Sequence, residues 1–252
     1  MVNLYKIRNN YELLIHAQKR SDGGAPIYTR RVNRFFGRFL AALLAETQLT
    51  PNAVSIMSIA LTLTGLVGLI ALKPSIPVAL LVTLLLLAGY ALDSSDGQLA
   101  RLRGAQCPRG EWLDHVIDAF KMVAVHWSAL IFLLKNVEEN YILIFSTVFI
   151  FQSFSSVIYF SGILKSKIRT PDRGSGDGLK VVEPSFVRDT ALIFLDYGVL
   201  CMIFVFSFNP NLFIICYVIL MLLFVTFSIY SLVKAFLSMP GPVYSLNGRE
   251  GV

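Results

Sequence analysis

Four aspartates near the middle of the chain come in two pairs. Asp93 and Asp96 are three residues apart, and Asp114 and Asp118 are four apart, so on helices each pair shares one face. Gly97 lies four residues after Asp93, Ala100 four after Asp96, and Gly110 four before Asp114, which leaves bare backbone beside the carboxylates. A link of about eight residues joins the two segments, so a helical hairpin brings both acidic faces to one end. Four carboxylates in so small a space cannot all stay ionised without cations. Oxygen donors suit Mg2+, Mn2+ or Ca2+ and do not suit Zn2+ or copper. Two divalent ions balance four aspartates and leave positions open for phosphate oxygens. The competing account pairs buried aspartates with Arg101, Arg103 and Lys121, and leaves the small residues at helical spacing unexplained.

The elements that carry these residues belong to a membrane. Of 252 residues 55% are hydrophobic and only 15% charged, with a mean hydropathy of +0.65; a soluble domain carries roughly 25% charged residues. Val78–Ala88, Val123–Leu134, Tyr141–Phe151 and Leu212–Ile229 are long apolar runs. This excludes a soluble enzyme, a disordered chain and a disulfide scaffold, and a β-barrel would alternate apolar with polar instead. The expected class is an all-α polytopic membrane protein. About 20 helical residues cross a bilayer core, and six stretches qualify: 52–72, 77–101, 110–134, 141–164, 187–208 and 211–237. Thr50-Pro51 reads as an N-cap with proline in the first turn, and Lys73-Pro74 and Asn209-Pro210 break the chain between spans. The stretch 28–47, with Arg30, Arg31, Arg34 and Arg38 among Phe35, Phe36 and Phe39, reads as an amphipathic helix lying in the interface. The organisation is then a segment 1–50, a membrane domain 51–238 and a tail 239–252. No cleavable signal peptide is expected from the polar, basic start. Cys107, Cys201 and Cys216 make no metal-ligand pair, and no structural disulfide is expected.

Positive charge sets the orientation. Of 22 lysines and arginines, eight precede Pro51, three lie in Arg101–Arg109, six in Lys165–Arg188 and two, Lys234 and Arg249, in the last turn of the final span and beyond it. Six spans put all four groups on one side, with Lys73 and Lys135 opposite, and positive charge collects in the cytoplasm. Both termini, the 102–109 and 165–186 loops and the acidic end of the hairpin are expected there, in an inner or plasma membrane. Thr170–Gly178 has linker character. The net charge of +6 is explained by this distribution and calls for no nucleic acid.

The full pattern is Asp93-x2-Asp96-Gly97-x2-Ala100-Arg101-x8-Gly110-x3-Asp114-x3-Asp118. It resembles the signature of the CDP-alcohol phosphotransferase family, with every fixed position filled. The span count, the amphipathic segment and the Thr50-Pro51-Asn52 start of the first span are similar to that family too. The resemblance implies transfer of a substituted phosphoryl group from a CDP-linked alcohol to an acceptor hydroxyl, with release of CMP. It implies that Asp93, Asp96, Asp114 and Asp118 hold two divalent cations, Mg2+ or Mn2+, and that Asp118 also acts as general base. Gly97, Ala100 and Gly110 would leave room for the nucleotide, beside Asp93, Arg101 and Asn52. A homodimer is implied as well.

Other residues admit two readings. Lys121, Arg31 and Arg34 could meet a substrate phosphate; equally, Lys121 could offset the aspartates and the arginines could contact anionic lipid. Gly110-Glu111-x2-Asp114-His115 resembles choline and ethanolamine phosphotransferases, although a packing role for His115 is simpler. His126 reads as structural, and Asp196 stays open between ligation, a hydrogen bond and an acceptor role. The expected activity is phospholipid synthesis by a phosphatidyltransferase, with CDP-diacylglycerol donating to a polar alcohol. The reverse, a small polar CDP-alcohol donating to a lipid or glycan, is the alternative, and a cation transporter is a remote one.

Overall fold

A computed structural model describes residues 4–16, 26–138, 141–168 and 192–239, which fold into helices without a strand. In chain order these are α1 (Leu4–His16), a π-helical turn (Thr29–Asn33), α2 (Arg34–Leu44), α3 (Pro51–Ala71), α4 (Ile76–Leu102), α5 (Pro108–Asn136), α6 (Tyr141–Ile168), α7 (Tyr197–Ile203, continued by a 3-10 turn, Phe204–Phe208) and α8 (Pro210–Leu237). Their starts follow local chemistry. The Thr50 hydroxyl accepts from the Ala53 N–H at 3.2 Å and Pro51 takes the first turn of α3, where its missing N–H costs nothing. The Asn209 side chain accepts from the N–H groups of Asn211 and Leu212 to begin α8.

Five of these helices, α3, α4, α5, α6 through Lys165, and α8, are long and apolar enough to cross a membrane, and the chain is a multi-pass membrane protein. The expectation of six spans is not met among the described residues. In the fifth stretch, 187–208, residues 187–191 lie outside them. The remainder is interrupted by a turn at Phe194–Leu195 before α7 begins. The cause is Asp196, whose extended backbone (φ −85°, ψ 124°) and carboxylate, accepting from the Gly198 N–H at 3.0 Å, start a new helix at Tyr197. Tyr197–Phe208 rises roughly 18 Å, short of a ~30 Å bilayer core. The 165–186 loop beyond residue 168 and the tail from residue 240 also lie outside the described residues.

Within lipid the helices meet through close packing rather than hydrophobic sorting. A Cβ at Gly89 of α4 would stand 2.5 Å from the Thr62 hydroxyl and 3.0 Å from the Ser58 carbonyl of α3, and one at Gly37 of α2 would stand 2.6 Å from the Ser94 hydroxyl of α4. Glycine is what lets α2 and α3 lie against the helix bearing the first aspartate pair. On the other side, Phe132, Phe151, Phe204, Phe213 and Tyr217 fill a buried core between α5, α6, α7 and α8. The outward faces keep exposed residues such as Leu84, Ile142 and Phe149, which suits a lipid surround. The stretch 28–47 is helical over most of its length. Gly37, Ala41 and Ala42 are buried, and Phe35, Phe36 and Phe39 are half exposed. α1, which the sequence pattern did not show, docks on it through Leu14 and through Tyr11, whose ring meets Phe35 edge-on and lies under the Arg38 guanidinium.

Candidate active site

α4 and α5 form the expected hairpin, and its turn is closed from both ends. Gly104 adopts φ +62°; the Ala105 N–H bonds the Ala100 carbonyl at 2.8 Å and the Gly104 N–H bonds the Arg101 carbonyl at 3.2 Å, a Schellman cap that needs a residue free of Cβ. Three residues later the Cys107 sulfur accepts from the Gly110 N–H at 3.4 Å and Pro108 opens α5. Arg103, at the end of α4, donates to the carbonyls of Leu44, Ala45, Thr47 and Leu49, at 2.6 to 3.2 Å for the first three. One guanidinium thereby holds the whole connection from α2 to α3 and sets where α3 begins.

Above this turn, carboxylate oxygens of Asp93, Asp114 and Asp118 lie within 4.8 Å of one another. The three come from facing helices and are only partly buried. Asp96 stands apart from this trio: it is buried and accepts a short hydrogen bond from the Ser55 hydroxyl of α3. Lys121 reaches the trio from one turn along α5. Its buried ammonium donates to Asp93 Oδ1 and lies 3.7 Å from Asp118 Oδ1, and Ser58 donates to the same Asp93 oxygen at 3.4 Å. Three carboxylates and one ammonium leave a net negative charge in a site closed on several sides, so the donor set fits a divalent cation with hard oxygen ligands.

Beside the trio opens a cavity of about 510 Å3. Asn52, Gly97, Ala100, Arg101 and Gly110, five of the six residues that the resemblance nominates for a nucleotide, line it together with Asp96 and Asp114, whereas the sixth, Asp93, is not among its lining residues. Gly97 leaves the wall open, the closest atom to a Cβ there being Arg101 Nη1 at 3.6 Å; at Gly110 the closest is Asn52 Oδ1 at 3.4 Å. Ser55, Cys107 and His115 also line the cavity. Arg31 and Arg34 do not: they sit on the π turn and at the start of α2, where the Arg34 carbonyl accepts from Gln98 at 3.5 Å.

The remaining polar residues have clear settings. His115 lies 3.8 Å from Glu111, and its backbone carbonyl accepts from the Tyr159 hydroxyl at 2.7 Å. His126 is fully buried between the Tyr217 hydroxyl (2.5 Å) and the Ser155 hydroxyl (3.1 Å), a packing role. Asp196, besides capping α7, accepts from the Thr29 N–H at 2.8 Å and the Thr29 hydroxyl at 3.0 Å, while that hydroxyl meets the Tyr90 hydroxyl at 2.7 Å. It therefore ties the π turn to α4 and α7. A second cavity, of about 300 Å3, lies next to this junction. Arg103, the Ser55–Asp96 bond and the Thr29–Asp196 tie escaped the sequence reading because each joins segments distant in the chain.

A family model described as CDP-alcohol phosphatidyltransferase matches residues 48–239, which take in both aspartate helices and every candidate span. No curated protein matches the chain.

Proposed function

We propose, from the premise that the chain belongs to the CDP-alcohol phosphatidyltransferase family, that its aspartate trio and the adjoining cavity carry out phosphoryl transfer with release of CMP. One observation carries this reading: oxygens of Asp93, Asp114 and Asp118 converge beside a cavity whose wall is kept open at Gly97 and Gly110. The cytidine would lie against those glycines, with Arg101 and Asn52 beside it and the diphosphate toward the aspartates. The acceptor oxygen bonds to phosphorus, the phosphorus–oxygen bond to CMP breaks, and CMP leaves with that electron pair. Asp118, whose carboxylate lies 3.7 Å from the Lys121 ammonium, takes the hydroxyl proton as the new bond forms. Asp93, Asp114 and Asp118 would hold the divalent cations, two of them on this reading, which polarise the phosphoryl oxygens and neutralise the charge developing on the leaving nucleotide. Asp96, bonded to Ser55, faces the cavity and completes the ligand set from its edge. Lys121 is placed to meet a phosphate oxygen once the carboxylates are engaged by cations.

The leading donor on this reading is CDP-diacylglycerol, in phospholipid synthesis. The reversed assignment, a small polar CDP-alcohol donating to a lipid hydroxyl, is favoured by the second cavity, whose walls are largely apolar. The distribution of lysine and arginine supports a cytoplasmic site, and the family resemblance supports a pair of chains. The test is CMP release by purified protein with Mg2+, comparing CDP-diacylglycerol, CDP-choline, CDP-ethanolamine and CDP-glycerol, each with pools of polar and lipid alcohols. Turnover of any of these that vanishes in Asp114→Asn supports the reading; CMP release unchanged in that variant overturns it.

A further inference from the structure

The two cavities meet the aspartates from opposite ends of the same helix faces. On α4, Tyr90 lies three residues before Asp93 and lines the second cavity, while Gly97 lies four after it and lines the first. On α5, Met122 lies four residues after Asp118 and lines the second, while Gly110 lies four before Asp114 and lines the first. Because the helices run antiparallel, the first cavity is at the hairpin end and the second is deeper along the spans. Tyr90 is 12 residues from the end of α4 at Leu102, roughly 18 Å along the axis.

An in-line displacement needs the attacking oxygen opposite the leaving one. On the phosphotransfer reading above, with CMP leaving into the first cavity, the attacking hydroxyl has the second cavity behind it. We infer that the second cavity receives the acceptor, and that the acceptor is an apolar alcohol without a phosphate, reaching the phosphorus from the bilayer side, which selects the reversed assignment with a small polar CDP-alcohol as donor over CDP-diacylglycerol.

The walls support this chemistry. Phe151, Ile158, Leu195, Leu220 and Phe224 are among them, and no lysine or arginine is among the described residues that line the cavity. Lys121, one residue before Met122, is already engaged by Asp93. A phosphorylated polyol would bring negative charge into this space with no cation to meet it. Most polar groups around the cavity are matched to one another: Thr29 to Asp196 and Tyr90, Ser155 to His126, and Tyr159 to the His115 carbonyl. The weakest match is Tyr197, whose buried hydroxyl has no oxygen or nitrogen partner and pairs only with the Cys201 thiol, a weak partner. A buried hydroxyl with only a weak partner gains from a stronger one, which an alcohol in the cavity supplies.

An alkyl chain here could also come from the donor, so the test separates the two. The full chain in nanodiscs is photolabelled with a decanol analogue carrying a diazirine on its chain, and labelled peptides are mapped by mass spectrometry. The expected result is labelling of α6 around Phe151–Tyr159 and of α8 around Leu220–Phe224, displaced by excess decanol and by dioleoylglycerol but not by glycerol 3-phosphate. Ile158→Trp, which fills the cavity, should cut that labelling at least fivefold while CDP affinity, measured by calorimetry, stays within twofold. Tyr197→Phe, the milder change, should weaken the probe at least threefold with the melting temperature unchanged or raised. Labelling equal in wild type and both variants overturns the inference. So does displacement by glycerol 3-phosphate, or displacement by CDP-diacylglycerol but not by dioleoylglycerol, which would assign the cavity to the donor's chain. CDP that fails to bind the wild type overturns the phosphotransfer reading and the acceptor assignment together, whereas CDP that binds while the label lies elsewhere overturns the acceptor assignment alone.

Discussion

The Ser55 hydroxyl of α3 donates to the Asp96 carboxylate of α4, beside the trio in which Asp93, Asp114 and Asp118 converge. Replacing Ser55 by Ala leaves a buried carboxylate one donor short, a loss of about 1–3 kcal/mol. The expected outcome is a lower melting temperature in detergent, partly restored by Mg2+ as Asp96 turns to the cation. A variant as stable as wild type, with or without Mg2+, would show that Asp96 does not depend on Ser55.

Asp114 belongs to the aspartate trio and also lines the cavity proposed for the nucleotide. Asp114→Asn keeps its shape and removes its charge, so CMP release should fall by at least ~100-fold with the melting temperature little changed. The assay with each CDP-alcohol checks the first expectation and a thermal melt the second.

Gly97 has no atom other than Arg101 Nη1 near its missing Cβ. Leucine there projects into the cavity without touching the carboxylates. CDP affinity should drop at least about tenfold, equivalent to ~1.4 kcal/mol, while Mn2+ binding persists. Unchanged CDP affinity in calorimetry would move the nucleotide away from this wall.

Arg103 holds the carbonyls of Leu44, Ala45, Thr47 and Leu49. Arg103→Ala should lower the melting temperature and weaken CDP several-fold, because Asn52 and Ser55 lose their placement. Arg103→Lys should not rescue either property, since one ammonium cannot span four carbonyls as a planar guanidinium does. Full rescue by lysine would reduce the role of Arg103 to its charge.

Lys121 places a buried positive charge against Asp93 and Asp118. Lys121→Met removes a competing cation, so Mn2+ measured by electron paramagnetic resonance should bind at least about tenfold tighter without faster turnover. Weaker Mn2+ binding in the variant would mean that Lys121 organises the carboxylates for the metal.

Much of this arrangement was legible in the chain before folding, because it depends on local chemistry. The spacing of Asp93, Asp114 and Asp118 places them on facing helix surfaces, and the Thr50-Pro51 and Asn209-Pro210 starts need only neighbouring atoms. The remainder depends on partners far away in sequence. Asp196 lies within an apolar stretch that reads as a span by composition, yet its carboxylate caps a new helix and ties down Thr29. α1 was missed because Leu4–His16 mixes polar with apolar residues and shows itself only through Leu14 and Tyr11 against α2. The partner of Asp96 is Ser55, 41 residues away, which no spacing within α4 reveals.

The turn between the aspartate helices has a consequence for how this chain tolerates change in length. α4 is stopped by Gly104 and α5 is started by Cys107 and Pro108, so each helix takes its register from its own cap. Ala105 and Gln106 lie between the caps as exposed residues. An extra residue there lengthens the connection and leaves each helix its own register. One inserted between Asp114 and Asp118, or between Asp96 and Arg101, turns everything beyond it by about 100° and carries a carboxylate or the guanidinium to another side of its helix. Insertions should therefore be accepted at the tip of the hairpin and rejected a turn away on either side.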